Sequence, residues 1–188
     1  MNENLEESLF RDGIPIEKGV TLTKDFLDRN ENLFTKYLNL WILYPDLMLD
    51  EIQDSEDAKH FHLLPFQREI LRAAMRFRYV FITATRATSK SFTAYLASVC
   101  RAVLLPNSNI MIASDVKGTV IKIAEAKFEE IFRHWPLLRK ELATRVDDGK
   151  TGVKSSNNYY ELRFKNGSMI TVVSKDTSRG LRATAAIL

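Results

Sequence analysis

Apolar residues recur at helical spacing from Asn30 onward, where Leu33, Phe34, Tyr37, Leu38 and Trp41 fall on one face behind a good N-cap residue. Pro45 stops this helix and opens a second, short one carrying Leu47, Leu49 and Ile52. An acidic linker, QDSEDAK, follows Ile52, and Pro65 opens the helical pattern PFQREILRAAMRF. Its Phe66, Ile70, Leu71, Ala74 and Phe77 make an apolar stripe with arginines on the other side. Residues 1–22 show little periodicity and are expected to form a mobile leader.

The pattern then changes. Tyr79–Ala84 is a β-branched and aromatic run that predicts a strand, and Phe92, Tyr95, Leu96, Val99, Val103 and Leu104 predict a helix of about four turns. Pro106 and Asn107 end that helix, NIMIAS at 109–114 reads as a buried strand, and residues 116–132 as a long amphipathic helix. Strand, loop, helix, strand, helix is the order of an α/β domain with parallel strands. A short helix is expected over 137–142, and the polar stretch DDGKTGVKSSNN at 147–158 reads as an exposed loop. YYELRF and SMITVVS flank Lys165, Asn166 and Gly167, and Asn-Gly is a strong hairpin signal. The segment ATAAIL begins one more apolar strand.

Between the first predicted strand and its helix lies TATRATSKSF, residues 83–92. This is where a phosphate-binding loop belongs: backbone N–H groups curl around phosphates, Lys90 supplies a point charge, Ser91 offers a hydroxyl to Mg²⁺, and the helix dipole adds positive potential. The pattern GxxxxGK[ST] fits at its end, with Ala84 and Ser89 standing where the two glycines would be. Both residues serve if the loop keeps φ negative there. Taken alone, Ser89–Phe92 also reads as an ordinary Ser-capped helix start.

Composition narrows the class. The 188 residues are 45% hydrophobic, enough for the core of one domain, and no apolar run approaches the roughly 20 residues that span a bilayer. The opening MNENLEESLF carries acids rather than the basic start of a signal peptide, so a soluble intracellular protein is expected. Residues 1–60 hold 14 acidic and 6 basic side chains, net −8; residues 61–188 hold 10 and 21, net +11, which suits nucleotide and nucleic acid. The single Cys100 is expected to be a core residue with no catalytic role. Asp147 and Asp148 read as solvated loop acids and Asp115 as a helix N-cap. His60, His62 and His134 lack companions at metal-ligand spacing, so zinc is not expected.

Several of these pieces together resemble the ATPase domain of the large terminase subunit of tailed bacteriophages, the motor that packages DNA into the prohead. They are the aromatic-Gln pair in PFQREILR about twenty residues before the loop, Arg86 inside the loop, IMIAS after the loop helix, the YPDL-containing leader helices, and SRGLRATAAIL. The resemblance covers residues 33–188. It implies a P-loop NTPase-type three-layer α/β sandwich with a mainly parallel sheet, preceded by a small helical N-terminal segment. Residues 1–60 would be that acidic leader, and residues 61–188 an ATPase domain truncated at the Walker B strand.

Carried onto this sequence, the resemblance makes Phe66 and Gln67 an adenine-recognising motif. Ala84, Thr85, Arg86, Ala87, Thr88, Ser89, Lys90 and Ser91 become the Walker A loop, with Lys90 and Arg86 catalytic and Ser91 the Mg²⁺ ligand for bound ATP. RGLR would lead into the Walker B strand, supplied by residues 185–188 with no acid after it. The expectation is therefore weak nucleotide binding without turnover by these 188 residues. Arg133, Arg139 and Arg145 are candidates for an arginine that reaches a neighbouring subunit's ATP, and Lys150, Lys154 and Lys175 for contacts with DNA phosphates. The implied partners are double-stranded DNA, the portal and prohead, the small terminase subunit and further copies in a homo-oligomeric ring. No membrane is involved, and the implied location is the host-cell cytoplasm and, transiently, the prohead portal vertex. Two other readings remain: a fragment of a nucleic-acid helicase with a Q motif before its P-loop, and a non-catalytic DNA-binding or docking remnant.

Overall fold

Proline sets the starts of three helices in this chain. The computed structural model describes residues 31–53, 61–85, 87–114, 119–144, 152–156, 159–174 and 182–187. The chain divides between Lys36 and Tyr37; residues 31–36 are the opening turns of α1 (Glu31–Leu43), and the rest of the description concerns the unit from Tyr37 onward. Helices α2 (Pro45–Glu51) and α3 (Pro65–Arg76) each carry proline in their first turn, as does the short α6 (Pro136–Lys140). The residue before each proline is pushed out of the helical region, with ψ of 68° at Tyr44, 152° at Leu64 and 78° at Trp135. None of the described helices is long and apolar enough to cross a membrane.

The remaining elements are α4 (Lys90–Leu104), β1 (Asn109–Ser114), α5 (Thr119–His134), β2 (Val153–Ser155), β3 (Tyr159–Arg163), β4 (Met169–Ser174) and β5 (Ala185–Ile187). The strands form one mixed α/β sheet in the order β2-β3-β4-β1-β5. β1 is parallel to both β4 and β5, while the β3–β4 hairpin and the β2–β3 pair are antiparallel. Two of the four pairings are thus antiparallel, and the mainly parallel sheet expected from the sequence is corrected. The cause is the Phe164–Ser168 turn, where Gly167 takes φ +82° and its N–H donates to Phe164 O at 3.1 Å, folding β4 back on β3. β2 also corrects the reading of residues 152–155 as loop: Gly152 lets three backbones meet, since a Cβ there would lie 2.6 Å from Arg163 O and 2.8 Å from Ala143 O.

A third correction concerns the run Tyr79–Ala84, which is irregular rather than a strand. Its residues favour a pleated conformation, but a strand is made by a ladder, and none of the sheet's four pairings involves this run. Phe77, Tyr79 and Phe81 are 65%, 84% and 94% exposed in consequence.

α4 and α5 touch each other and both lie against β4, so they cover the same face of the sheet. That face is lined by Tyr160, Leu162, Ile170, Val172, Ile110 and Ile112, while the alternate residues Glu161, Thr171 and Met111 are only partly covered. Ala113 and Val173, on the same face as Met111 and Thr171, are nevertheless buried. Rings knit the layers together: Phe128 of α5 stacks on Tyr160 at 5.6 Å and meets Tyr95 of α4 edge-on at 5.0 Å. Cys100 is fully buried, and that desolvation pushes its thiol up to about 12, in keeping with an inert core residue.

The C-terminal end of α4 is closed by the hairpin turn. Asn166 Nδ2 donates to Ala102 O at 2.8 Å and Val103 O at 3.0 Å, and the hydroxyls of Ser108 and Ser168 donate to Leu105 O at 2.7 and 3.0 Å.

α2 is bolted to α3 through a carboxylate. Asp46 is wholly buried and accepts from Arg72 Nε at 2.9 Å, Arg72 NH2 at 2.7 Å and Arg68 NH1 at 3.3 Å; Arg68 also grips Asp50 at 2.6 and 2.9 Å. Burial by itself raises the Asp46 pKa, but the hydrogen bonds and charge of Arg72, with Arg68, outweigh it and hold the carboxyl below its usual value. Trp135 Nε1 donates to Leu49 O at 2.9 Å, tying α2 to the end of α5. Asp46→Ala should lower stability by about 3 kcal/mol at pH 7, since it removes charge-assisted bonds from a buried site. Because the folded-state pKa is depressed, this contribution is present above the ordinary aspartate value of about 3.9 and is lost as the pH falls through the lower folded value. Urea unfolding of both proteins at pH 7 and in acid should show the difference shrinking; a gap that does not change with pH would remove the carboxylate charge from the explanation.

Candidate phosphate-binding loop

The chain enters α4 through a turn held by its own backbone. Thr88 Oγ1 donates to Thr85 O at 2.9 Å, and Lys90 Nζ donates to Ala84 O at 2.8 Å and also to Thr85 O. Ala87 has φ +65°, and Ser89 has φ +54° with ψ +28°, so both lie in the left-handed region. A residue other than glycine serves at this position of the pattern if φ stays negative, and Ser89 does not meet that condition. The left-handed conformation stands at the second glycine position of the pattern, with a serine in it, while Ala84 is not among the residues of positive φ. The conformation glycine favours is present at Ser89 without the glycine, at a cost of roughly 1–2 kcal/mol.

This geometry is not that of a Ser-capped helix start. A capping serine has extended backbone and accepts a hydrogen bond from the first turn of the helix; Ser89 is left-handed and makes no side-chain cap bond. The Ser89 side chain therefore takes none of the first-turn N–H groups of α4, while the Lys90 ammonium donates to Ala84 O and Thr85 O. Lys90 and Ser91 are both exposed. The surroundings favour an anion: from Ile70 to Ser114 the sequence contains no Asp or Glu and six Lys or Arg. That gap in acidic residues was a signal in the sequence that motif-matching did not use. Arg86 lies outside the described residues.

Phe66 and Gln67 begin α3. Phe66 is exposed, but Gln67 is 4% exposed, and its Oε1 accepts from the Leu64 N–H at 2.8 Å while its own N–H donates to Leu64 O at 2.9 Å. Its amide oxygen thus braces the helix start, as a polar helix N-terminus would. Arg139 pairs with Glu129 at 2.9 Å, Arg133 is exposed, and Lys154 of β2 sits 5.4 Å from the centre of the Tyr159 ring of β3. His134 stacks on Phe61 at 4.2 Å, and His62 is exposed. Asp115, Asp147, Asp148, Arg145, Lys150, Lys175 and His60 lie outside the described residues, as do residues 178–181 of SRGLR.

Among the described residues, no group of three or more His, Cys, Asp or Glu is placed to hold a metal ion. A phosphate here would meet Lys90 and the first-turn N–H groups that the Ser89 side chain does not cap. Mg²⁺ would gain the Ser91 hydroxyl, which suffices only for an ion that keeps most of its shell as water and phosphate oxygen.

No protein-family model matches the chain, and no curated protein matches it in sequence. The site therefore stands on its own geometry.

If Ser89 is strained by its positive φ, Ser89→Gly should raise stability by about 0.5 kcal/mol, the relief of the left-handed cost less the greater chain entropy of glycine. The melting temperature should rise by about 1–2 °C. Ser91→Gly, one step inside the helix, should lower stability by about 0.5–1 kcal/mol. Thermal unfolding of the three proteins checks this, and a destabilised Ser89→Gly would show that the serine is at ease in its turn.

Proposed function

We propose that residues 83–91 and the start of α4 bind the phosphates of a nucleoside triphosphate, with Lys90 as the charged contact. We further propose that the chain is part of an ATPase of the large-terminase type that drives DNA translocation into a prohead. The observation that carries the first statement is Ser89: it is left-handed and its side chain does not cap the first-turn N–H groups of α4, the helix that Lys90 opens. The finer statement is supported by the order of sequence features, namely Phe66-Gln67, a loop with Arg86 inside it, NIMIAS, and RGLR before an apolar strand. β5 runs parallel to β1, which is the relation that a P-loop sheet requires of these two strands.

In this reading Lys90 exchanges its bonds to Ala84 O and Thr85 O for phosphate oxygens, a swap of weak neutral acceptors for charged ones. Thr88 keeps its bond to Thr85 O, so the turn stays closed while the lysine moves. Bound Mg²⁺ would neutralise phosphate charge, and Ser91 would hold it. Gln67 is assigned a bracing role at the α3 start, since its amide oxygen is already committed to Leu64. ATP and Mg²⁺ as ligands, Arg86 as a phosphate sensor, and double-stranded DNA, portal and small-subunit partners in a ring belong to the same proposal. The host cytoplasm and the portal vertex are the corresponding locations.

Thermal unfolding with nucleotide tests the site. A ligand at about 100 times its Kd adds roughly 2.7 kcal/mol, or about 5–10 °C for a chain of this size. Mg-ATP or Mg-ADP should produce such a rise in the wild-type protein and none in Lys90→Ala. Equal shifts in both proteins at saturating nucleotide would remove Lys90 and this loop from the function.

A further inference from the structure

We infer that Thr93 is a positioning residue for the loop, holding Ser89 in its left-handed conformation from inside the helix. Thr93 is wholly buried, four residues after Ser89, and makes two bonds to the same atom: its N–H donates to Ser89 O at 2.9 Å and its Oγ1 at 3.0 Å. The direction of that carbonyl is set by ψ of Ser89, so anchoring it from two donors anchors the plane of the Ser89–Lys90 peptide. The Lys90 N–H, at the other side of the same plane, is thereby aimed outward from the helix start. Ser89 has no side-chain bond to the helix start that could hold this conformation, and an L-residue does not adopt it freely.

The same helix supplies its own comparison. Ser98 is 2% exposed and donates Oγ to Ala94 O at 2.9 Å, again four residues back. Such back-bonds in a regular turn contribute little or slightly weaken a helix. What sets Thr93 apart is its acceptor: Ala94 lies within the helix, whereas Ser89 is left-handed. A valine would fill the Thr93 position without placing a hydroxyl in the core, where that group is tolerated only because it is bonded.

The effect on ligand binding rests on the nucleotide reading above, while the effect on Ser89 does not. Backbone NMR of the full chain reports φ at Ser89 from its ¹³Cα and ¹³Cβ shifts and its HN–Hα coupling. Thr93→Val should move these signals away from positive-φ values and weaken Mg-ADP binding about tenfold, the loss of one hydrogen bond. Thr93→Ser should restore both, and Ser98→Ala should change neither. In a Ser89→Gly background, where left-handed backbone needs no support, Thr93→Val should cost much less binding. Unchanged Ser89 signals in Thr93→Val, or no recovery in Thr93→Ser, would overturn the inference. Equal Mg-ADP affinity of wild type and Lys90→Ala would sink the nucleotide reading alone, with the Ser89 signals still deciding the role of Thr93.

Discussion

Because α4 is buried from Phe92 to Leu104 by the sheet, α5 and α3, the polar groups at its two ends must find specific partners. They do so unequally. At the C-terminal end Asn166 holds the carbonyls of Ala102 and Val103, and two serine hydroxyls hold Leu105, so the helix is closed by protein. At the N-terminal end Ser89 binds inward through its carbonyl and gives the first-turn N–H groups no side-chain acceptor. The last turn of the helix is thus held by Asn166, while its first turn has no serine cap and begins at the exposed Lys90 and Ser91. The same burial makes the arrangement durable: Leu96, Val99 and Cys100 are fully out of water, and each large apolar side chain so placed contributes about 1.5–3 kcal/mol.

The charge asymmetry of the chain takes on a different meaning in three dimensions. Arg68, Arg72 and Arg76 account for part of the positive excess after residue 60, yet all three are spent on the preceding helices. Arg68 and Arg72 hold Asp46 and Asp50, and Arg76 donates to Leu43 O at 3.1 Å while lying 4.4 Å from the Tyr44 ring centre. An internal contact thus explains some of the imbalance that composition alone would assign to a polyanion. Among the described residues near the loop, Arg78 and Lys90 are exposed.

The run Tyr79–Ile82 shows how composition and structure part. It has the aromatic and β-branched residues of a buried strand, and it carries high exposure because no ladder receives it. An exposed apolar segment outside the sheet's ladders is prone to pair with another chain, and Arg76 and Arg78 are the charges that oppose this near its start.

Local chemistry was legible in the residues themselves. The proline-started helices, the stripe of α4, the NIMIAS strand and the Asn-Gly hairpin each follow from side-chain spacing and from the few residues that fix φ. The division of the sheet into parallel and antiparallel halves, the short β2 and the failure of Tyr79–Ala84 to become a strand were not legible, because a ladder depends on which distant backbone lies alongside. The same holds at the site. Lys90 and Ser91 stood out by spacing, whereas the left-handed turn at Ser89, the support from Thr93 and the commitment of Gln67 to Leu64 depend on the paths of backbone carbonyls. The sequence by itself determined where helices start and which residues seek the core; tertiary structure decided strand pairing and the dihedral angles of the loop, because these are set by hydrogen-bond partners that sequence spacing does not specify.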